Sequence, residues 1–190
     1  MKALTWHGKG DMRCESVPHP RIEHPRDAII KVTARAICGS DLHIYDGVIP
    51  SMEKGDVLGH ETMGEVVEVG NENKELKTGD RVVVPFTIAG GECFFCKRGY
   101  FSGCAHQSQR REGEETVRQL ARRSFRLFPH DRRLHGGQAE YLRVPSADAG
   151  PIKVPDGLTD EQGLFLSGIF PTGYMAADGC IKVVLKLNSE

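Results

Sequence analysis

Gly59-His60-Glu61-Thr62-Met63-Gly64-Glu65-Val66-Val67-Glu68-Val69-Gly70 is the stretch on which the reading of this chain turns. Residues 63–69 read as a strand, and Gly64 and Gly70 fall where a bend or a close backbone approach suits a residue without Cβ. The front of the stretch sets an imidazole beside a carboxylate. Upstream, Cys38-Gly39-Ser40-Asp41-Leu42-His43 adds a thiol, a hydroxyl and a second imidazole, with a loop expected between the two segments. Thiolate and imidazole are zinc donors, and a catalytic zinc takes three protein ligands and leaves one position open. Ser40 and His43 lie beside Cys38 in the chain, where a hydroxyl and an imidazole could pass a proton. A Cys and a His at this separation also occur as ordinary core or loop residues, so spacing alone leaves both readings open.

Working outward, residues 2–6 and 28–37 read as strands. In the second, Ile30, Val32, Ala34 and Ala36 alternate with Lys31, Thr33 and Arg35, which predicts one buried face. Pro18, Pro20 and Pro25 make the connection between these strands extended. Residues 81–86 follow the turn residues Thr78-Gly79-Asp80 and pair naturally with 63–69. Residues 138–144 and 152–154 are further short strands. Thr159-Asp160-Glu161-Gln162 has the form of a capping box and predicts a helix over about 160–168, interrupted or restarted at Pro171. Many short strands with Gly and Pro between them indicate a barrel or sandwich, mainly β with short helices.

The chain has 190 residues, enough for a domain with its own core, and a formal net charge of −1 with pI near 6.7. No global basic field points to nucleic acid or to an anionic membrane. Neither a signal-type N-terminus nor an apolar run of spanning length is present, so a cytoplasmic protein is expected. Three of the six Cys cluster as Cys93, Cys96 and Cys104, a grouping that suits metal better than disulfides.

The two quoted segments together resemble the zinc-dependent alcohol dehydrogenases of the medium-chain family, and the wider text looks most like the branch that includes formaldehyde dehydrogenases. The resemblance covers most of residues 1–106 and 136–178. It implies a GroES-like barrel over residues 1–178, a catalytic zinc on Cys38 and His60, and a proton relay through Ser40 and His43. It also places Thr172 near the nicotinamide of NAD. Gly90-Gly91-Glu92-Cys93-Phe94-Phe95-Cys96 and Cys104 resemble the family's structural zinc lobe, C-G-x-C-x-x-C-x7-C.

Both metal motifs depart from the family. The first thiolate of the lobe falls on Gly90, which leaves Cys93, Cys96 and Cys104; His106 is a conceivable substitute. The third catalytic ligand is an Asp in the related branch, and here Gly168 stands in that place, within Ser167-Gly168-Ile169-Phe170-Pro171-Thr172-Gly173-Tyr174. Glu61 is then the candidate to turn inward as a replacement, with an outer-sphere role as its alternative. Weakened zinc is expected at both places.

Residues 107–135 break the resemblance. They hold eight of the chain's fifteen Arg and none of its ten Lys. Three readings are open: a solvated basic helix, a local nucleic-acid patch, or a stretch read out of frame and later restored, which the sharp return at Gly136-Gly137-Gln138 favours. Poor order is expected there. No G-x-G-x-x-G turn of a Rossmann unit is found, so that domain is expected to be absent, with 179–190 a truncated tail.

Two functions follow from the resemblance. One is an alcohol or aldehyde oxidoreductase with NAD-linked hydride transfer. Its lone chain is expected to be impaired and to bind NAD poorly. Its partners would be a small alcohol or aldehyde and either a second copy or a complementing chain with a Rossmann domain. The other is a zinc-binding or interaction module without catalysis; a degraded chain with no stable role is the limiting case. Nucleic acid and membrane are not expected partners.

Overall fold

The computed structural model describes residues 1–49, 52–104 and 135–177. The arginine-rich segment, apart from its last residue His135, and the tail expected at 179–190 lie outside the described residues. The described part is mostly strand. A three-stranded antiparallel sheet has the order β2-β1-β4, from β1 (Lys2–Gly8), β2 (Asp11–Ser16) and β4 (Asp56–Val57). A five-stranded antiparallel sheet has the order β7-β3-β5-β6-β8. It comprises β3 (Ala28–Arg35), β5 (Thr62–Val69), β6 (Arg81–Val84), β7 (Tyr141–Val144) and β8 (Ile152–Lys153).

The alternation predicted for β3 is present. Ile30 is fully buried, Lys31, Thr33 and Arg35 are exposed, and Val32 and Ala34 turn partly inward. Ala28 and Ile30 join Val66, Val82, Val84, Leu142 and Val144 in the largest core cluster. Each buried Val, Leu or Ile there contributes about 1.5–3 kcal/mol relative to exposure. Gly64 lies opposite Val32 in the β3–β5 pair, next to a register shift. A Cβ at Gly64 would fall on the Lys31 carbonyl and 2.6 Å from Ile30 Cγ2, so the close approach expected of this glycine is real.

The two sheets are joined through residues 138–140. Leu4 N–H donates to the Gln138 carbonyl at 2.8 Å, Glu140 N–H donates to the Lys2 carbonyl at 3.0 Å, and Ala3 bridges Ala139. Val32 N–H donates to the Glu140 carbonyl, which carries the same segment into the larger sheet. The sheets thus wrap into one barrel-like body, in line with the GroES-like expectation.

Several local expectations need correction. The segment after Cys38, to which no element was assigned from sequence, is helical over Gly39–Tyr45 (α1), and the loop expected beyond His43 begins after it. Asp41 stabilises its start by accepting the Cys38 N–H at 2.8 Å. β2 was not foreseen, because its burial is shallow and no clean alternation marks it. The strand expected from 138 begins at Tyr141, since residues 138–140 are committed to β1. The capping box is formed as predicted, with Gln162 N–H donating to Thr159 Oγ1 at 3.3 Å. Its helix is short, Asp160–Leu164 (α2), and a new helix runs over Ile169–Ala177 (α3). Pro171 falls in the first turn of α3, where its missing N–H costs nothing.

Candidate metal centres

Cys38 stands at the N-cap of α1, directly after β3, with extended backbone. His60 and Glu61 lead into β5 and are buried to 6% exposure each. One donor atom from each of Cys38, His60 and Glu61 lies within 4.8 Å of the others. The sequence-distant thiol and imidazole therefore converge, and Glu61 joins them.

The turn that presents His60 is held from behind. Gly59 has φ +101°, and a Cβ there would meet the Gln138 backbone nitrogen at 2.6 Å. Gln138 N–H donates to the Leu58 carbonyl and Gly137 N–H to the Gly59 carbonyl, both at 2.8 Å. Gly136 and Gly137 are as tightly fitted, against Leu58 and the Thr62 side chain. The return of the chain after the arginine-rich segment is thus part of the wall of this site.

Gln138 also reaches the site through its side chain. Its Nε2 donates to Asp41 Oδ2 at 3.3 Å, and Asp41 Oδ1 lies 3.8 Å from His60 Nδ1. Asp41 Oδ1 and His60 Nδ1 are both buried and have no hydrogen-bond partner among the described residues. A small closure would join them, leaving Nε2 as the ligating nitrogen; an imidazole oriented by a carboxylate is the usual arrangement behind a metal. Burial holds the Asp41 carboxyl above its ordinary range, opposed by the Cys38 N–H and by His60. Asp41 and Gln138 were not assigned roles from sequence. Asp41 sits within the first quoted segment, but nothing in its spacing announces contact with His60.

The other expected site residues divide. Ser40 Oγ lies 3.5 Å from His60 Nε2, so it is at the site. His43 is exposed on α1, one turn beyond Ser40. Thr172 is exposed on α3, and its Oγ1 donates to the Gly168 carbonyl at 2.6 Å. Gly168 itself borders the site: a Cβ there would lie 2.9 Å from Glu61 Oε1. The Glu61 carboxylate thus approaches the space into which a side chain at 168 would project. The residues present fit a metal by donor chemistry and by the orphaned Asp41–His60 pair.

The second group is a compact lobe. Cys93 and Cys96 are brought together by a turn in which Lys97 N–H donates to the Cys93 carbonyl at 3.0 Å. Gly99, at φ +79°, ends the short 3-10 helix Cys96–Arg98. Cys104 follows a second such helix, Phe101–Gly103. The sulfur of Cys93 lies 3.5 Å from that of Cys96 and 4.0 Å from that of Cys104. Thiolates about 2.3 Å from a tetrahedral ion sit roughly 3.8 Å apart, so the spacing fits shared coordination. Burial, then hydrogen bonding to Cys104 and Cys93, pushes the Cys96 thiol up to about 11. Gly90 contributes backbone only: its N–H donates to Cys104 Sγ at 3.3 Å, and its carbonyl accepts from Arg26 Nη2 at 2.8 Å. Arg26 is fixed by Asp148 through Nε at 2.8 Å. His106 lies outside the described residues.

The described residues thus form a small antiparallel barrel with a Cys-His-Glu group at a strand end and a separate cysteine lobe. The alcohol dehydrogenase GroES-like domain model matches residues 24–156, and the chain belongs to that family. It is 41% identical over 182 residues to zinc-type alcohol dehydrogenase B of Aspergillus flavus, covering 96% of this chain and 38% of that protein. It is 37% identical to formaldehyde dismutase of Pseudomonas putida, covering 100% of this chain and 46% of that protein. Among solved structures, alcohol dehydrogenase TADH from Thermus sp. ATN1 superposes with a TM-score of 0.75 at 37% identity, over 92% of this chain and 46% of that one. The chain thus spans less than half the length of these relatives. No described helix is long and apolar enough to cross a membrane.

Proposed function

We propose that this chain supplies the zinc- and substrate-binding half of an alcohol or aldehyde oxidoreductase. The observation that carries this reading is the convergence of Cys38, His60 and Glu61 donor atoms within 4.8 Å. Zinc, when bound, would supply Lewis acidity at the substrate oxygen, and NAD would be the hydride acceptor. The chain's own residues do the rest. Cys38, His60 and Glu61 hold the ion. Asp41 orients His60 through Nδ1. Ser40 takes the alcohol proton, and His43, exposed one turn further along α1, passes it to solvent. Thr172 has a weaker claim to nicotinamide contact, because its hydroxyl is already engaged with Gly168.

Hydride transfer needs a nicotinamide site, which a Rossmann domain supplies. Exposed Phe165, Ile169, Phe170, Tyr174 and Met175 around α3 offer such a domain an apolar surface. A second reading, a zinc-binding module without turnover, is favoured by Gly168, which offers no ligand.

Zinc per chain, measured on the purified protein and on C38S and H60A variants, tests the metal assignment. NAD reduction with short primary alcohols and aldehydes, with and without a Rossmann-containing partner, tests the chemistry. The proposal expects zinc lost in both variants and turnover only with the partner. Zinc retained unchanged in both variants overturns the metal assignment. Zinc without turnover under any complementation selects the second reading, and turnover by the chain alone refutes the need for a partner.

A further inference from the structure

We propose that Gln138 is a positioning residue for the first metal group, acting on His60 through Asp41. The inference deepens the reading of Cys38, His60 and Glu61 as a zinc site and rests on that reading only for its metal readout.

Gln138 stands where three parts of the chain meet. Its N–H donates to the Leu58 carbonyl at 2.8 Å, in the turn that leads to His60. Its carbonyl accepts the Leu4 N–H at 2.8 Å, which ties it to β1. The backbone is therefore fixed from both sides. The side-chain stem is confined as well, with Cγ 2.7 Å from where a Cβ on Gly59 would stand. That path exists only because residue 59 is glycine. Gln138 is 5% exposed, and Asp41, which it reaches, is 4% exposed.

A buried amide costs free energy unless it finds partners. Here Nε2 donates to Asp41 Oδ2 at 3.3 Å. The reverse orientation would set the amide oxygen against a carboxylate, so the donor is the atom that faces Asp41. Asp41 Oδ2 also accepts the Cys38 N–H at 2.8 Å. The terminal torsion of an Asp is broad and close to two-fold, so the side chain does not fix its own carboxyl plane. The Cys38 N–H alone leaves the carboxyl free to turn about one hydrogen bond. Gln138 supplies the second donor, and together they leave Oδ1 as the oxygen 3.8 Å from His60 Nδ1.

The consequence falls on the imidazole. An acceptor facing Nδ1 favours the tautomer with its hydrogen there and keeps the Nε2 lone pair for a metal. Ser40 Oγ, 3.5 Å from Nε2, can donate to that lone pair in the metal-free chain. Both neighbours select the same tautomer. Without the Gln138 amide the carboxyl is released, and His60 loses one of the two groups that hold it in that form.

The test uses Q138M in the full chain, alone and combined with D41N. Methionine keeps an unbranched stem and removes the donor. The first readout is the His60 tautomer in metal-free protein, from nitrogen NMR of isotopically labelled histidine under mildly alkaline conditions, with H60A assigning the signal. The wild type is expected to hold the Nδ1–H form and Q138M a mixture of both. The second readout is zinc affinity at this group. It is expected to fall about three- to tenfold in Q138M, less than the ~10–100-fold typical of a partner in direct contact with the ligand. In the D41N background, Q138M is expected to change neither readout. Metal in the cysteine lobe, followed by cobalt absorption, is expected to be unchanged.

A wild-type tautomer ratio in Q138M overturns the proposal, as does unchanged zinc affinity in a chain that binds zinc at Cys38 and His60. An equal Q138M effect with and without the Asp41 charge overturns it too, because Gln138 would then not act through Asp41. Parallel loss of metal from the lobe would reveal a general structural role and has the same force. A tautomer change in Q138M of a chain that binds no zinc at Cys38 and His60 supports the positioning role and refutes the zinc reading, so the two failures are told apart.

Discussion

The two candidate metal groups of this chain differ in what surrounds the glycine beside each. In each, glycine stands where the family resemblance implies a ligand: Gly168 beside the Cys38–His60 pair and Gly90 beside the three-cysteine lobe. At the first, a neighbouring carboxylate already reaches towards the gap, with Glu61 Oε1 2.9 Å from where a Cβ on residue 168 would begin. At the second, the local backbone donates to a sulfur and ties its carbonyl to Arg26. A ligand lost beside a long acidic side chain has a ready substitute. Where the glycine stands at residue 90, the described donors are the three cysteines alone.

The largest expected effect tests whether the two groups are independent. H60A removes one donor of the first group and leaves the lobe untouched. Metal affinity at the first group is expected to fall more than ~100-fold, beyond the ~10–100-fold typical of losing an outer-sphere partner. Thiol-bound metal in the lobe should be unchanged, as read by cysteine-to-metal absorption after cobalt substitution. Parallel losses at both groups would mean that they share one stability, and the comparison would fail.

Next in size is the compensation itself. E61Q should weaken metal at the first group by about 10–100-fold, since a neutral amide replaces an anionic donor. In a G168D background, the added Cβ and carboxylate must push Glu61 aside, a shift cheap for the end of a flexible chain. E61Q should then be nearly silent. A double-mutant cycle on zinc affinity measures this coupling, and strict additivity would show that Glu61 does not stand in for residue 168.

How much of this was legible in the chain varies by region for physical reasons. The alternation from Ile30 to Arg35 announced β3, because one face of that strand is buried and the period is two. Thr159 and Gln162 announced the start of α2, because capping chemistry is local. Cys38, His60 and the three lobe cysteines were legible through residue type and the family resemblance. Asp41 and Gln138 were not, because their contact is made across 97 residues and no local pattern encodes it. α1 escaped notice because seven residues give too short a period to read, and its start depends on one Asp41 hydrogen bond.

Asp41 gives the third and smaller effect. D41N keeps the shape but loses the charge that would orient His60, so metal at the first group should weaken by about tenfold. The lobe has no equivalent carboxylate among its described hydrogen bonds and should not respond. Zinc affinity equal to wild type would mean that the 3.8 Å separation between Asp41 and His60 never closes.

The smallest effect concerns what holds the Gly168 side of the first group in place. α2 is tied to β6 by Arg81, whose Nε donates to Asp160 Oδ1 at 3.1 Å and whose Nη2 donates to the Leu158 carbonyl at 2.8 Å. Thr33 and Arg81 hold the Asp160 carboxyl below its ordinary 3.8. A depressed folded value means that the stabilisation is fully present above the unfolded value and is lost as pH falls through the folded one. The pair is partly exposed, with side-chain exposures of 37% and 29%, so D160N should cost no more than about 1 kcal/mol at neutral pH. The deficit, measured by denaturant unfolding, should shrink towards zero below pH 4 as the wild-type carboxyl protonates. A deficit that persists in acid would mean that the contribution of Asp160 does not depend on its charge.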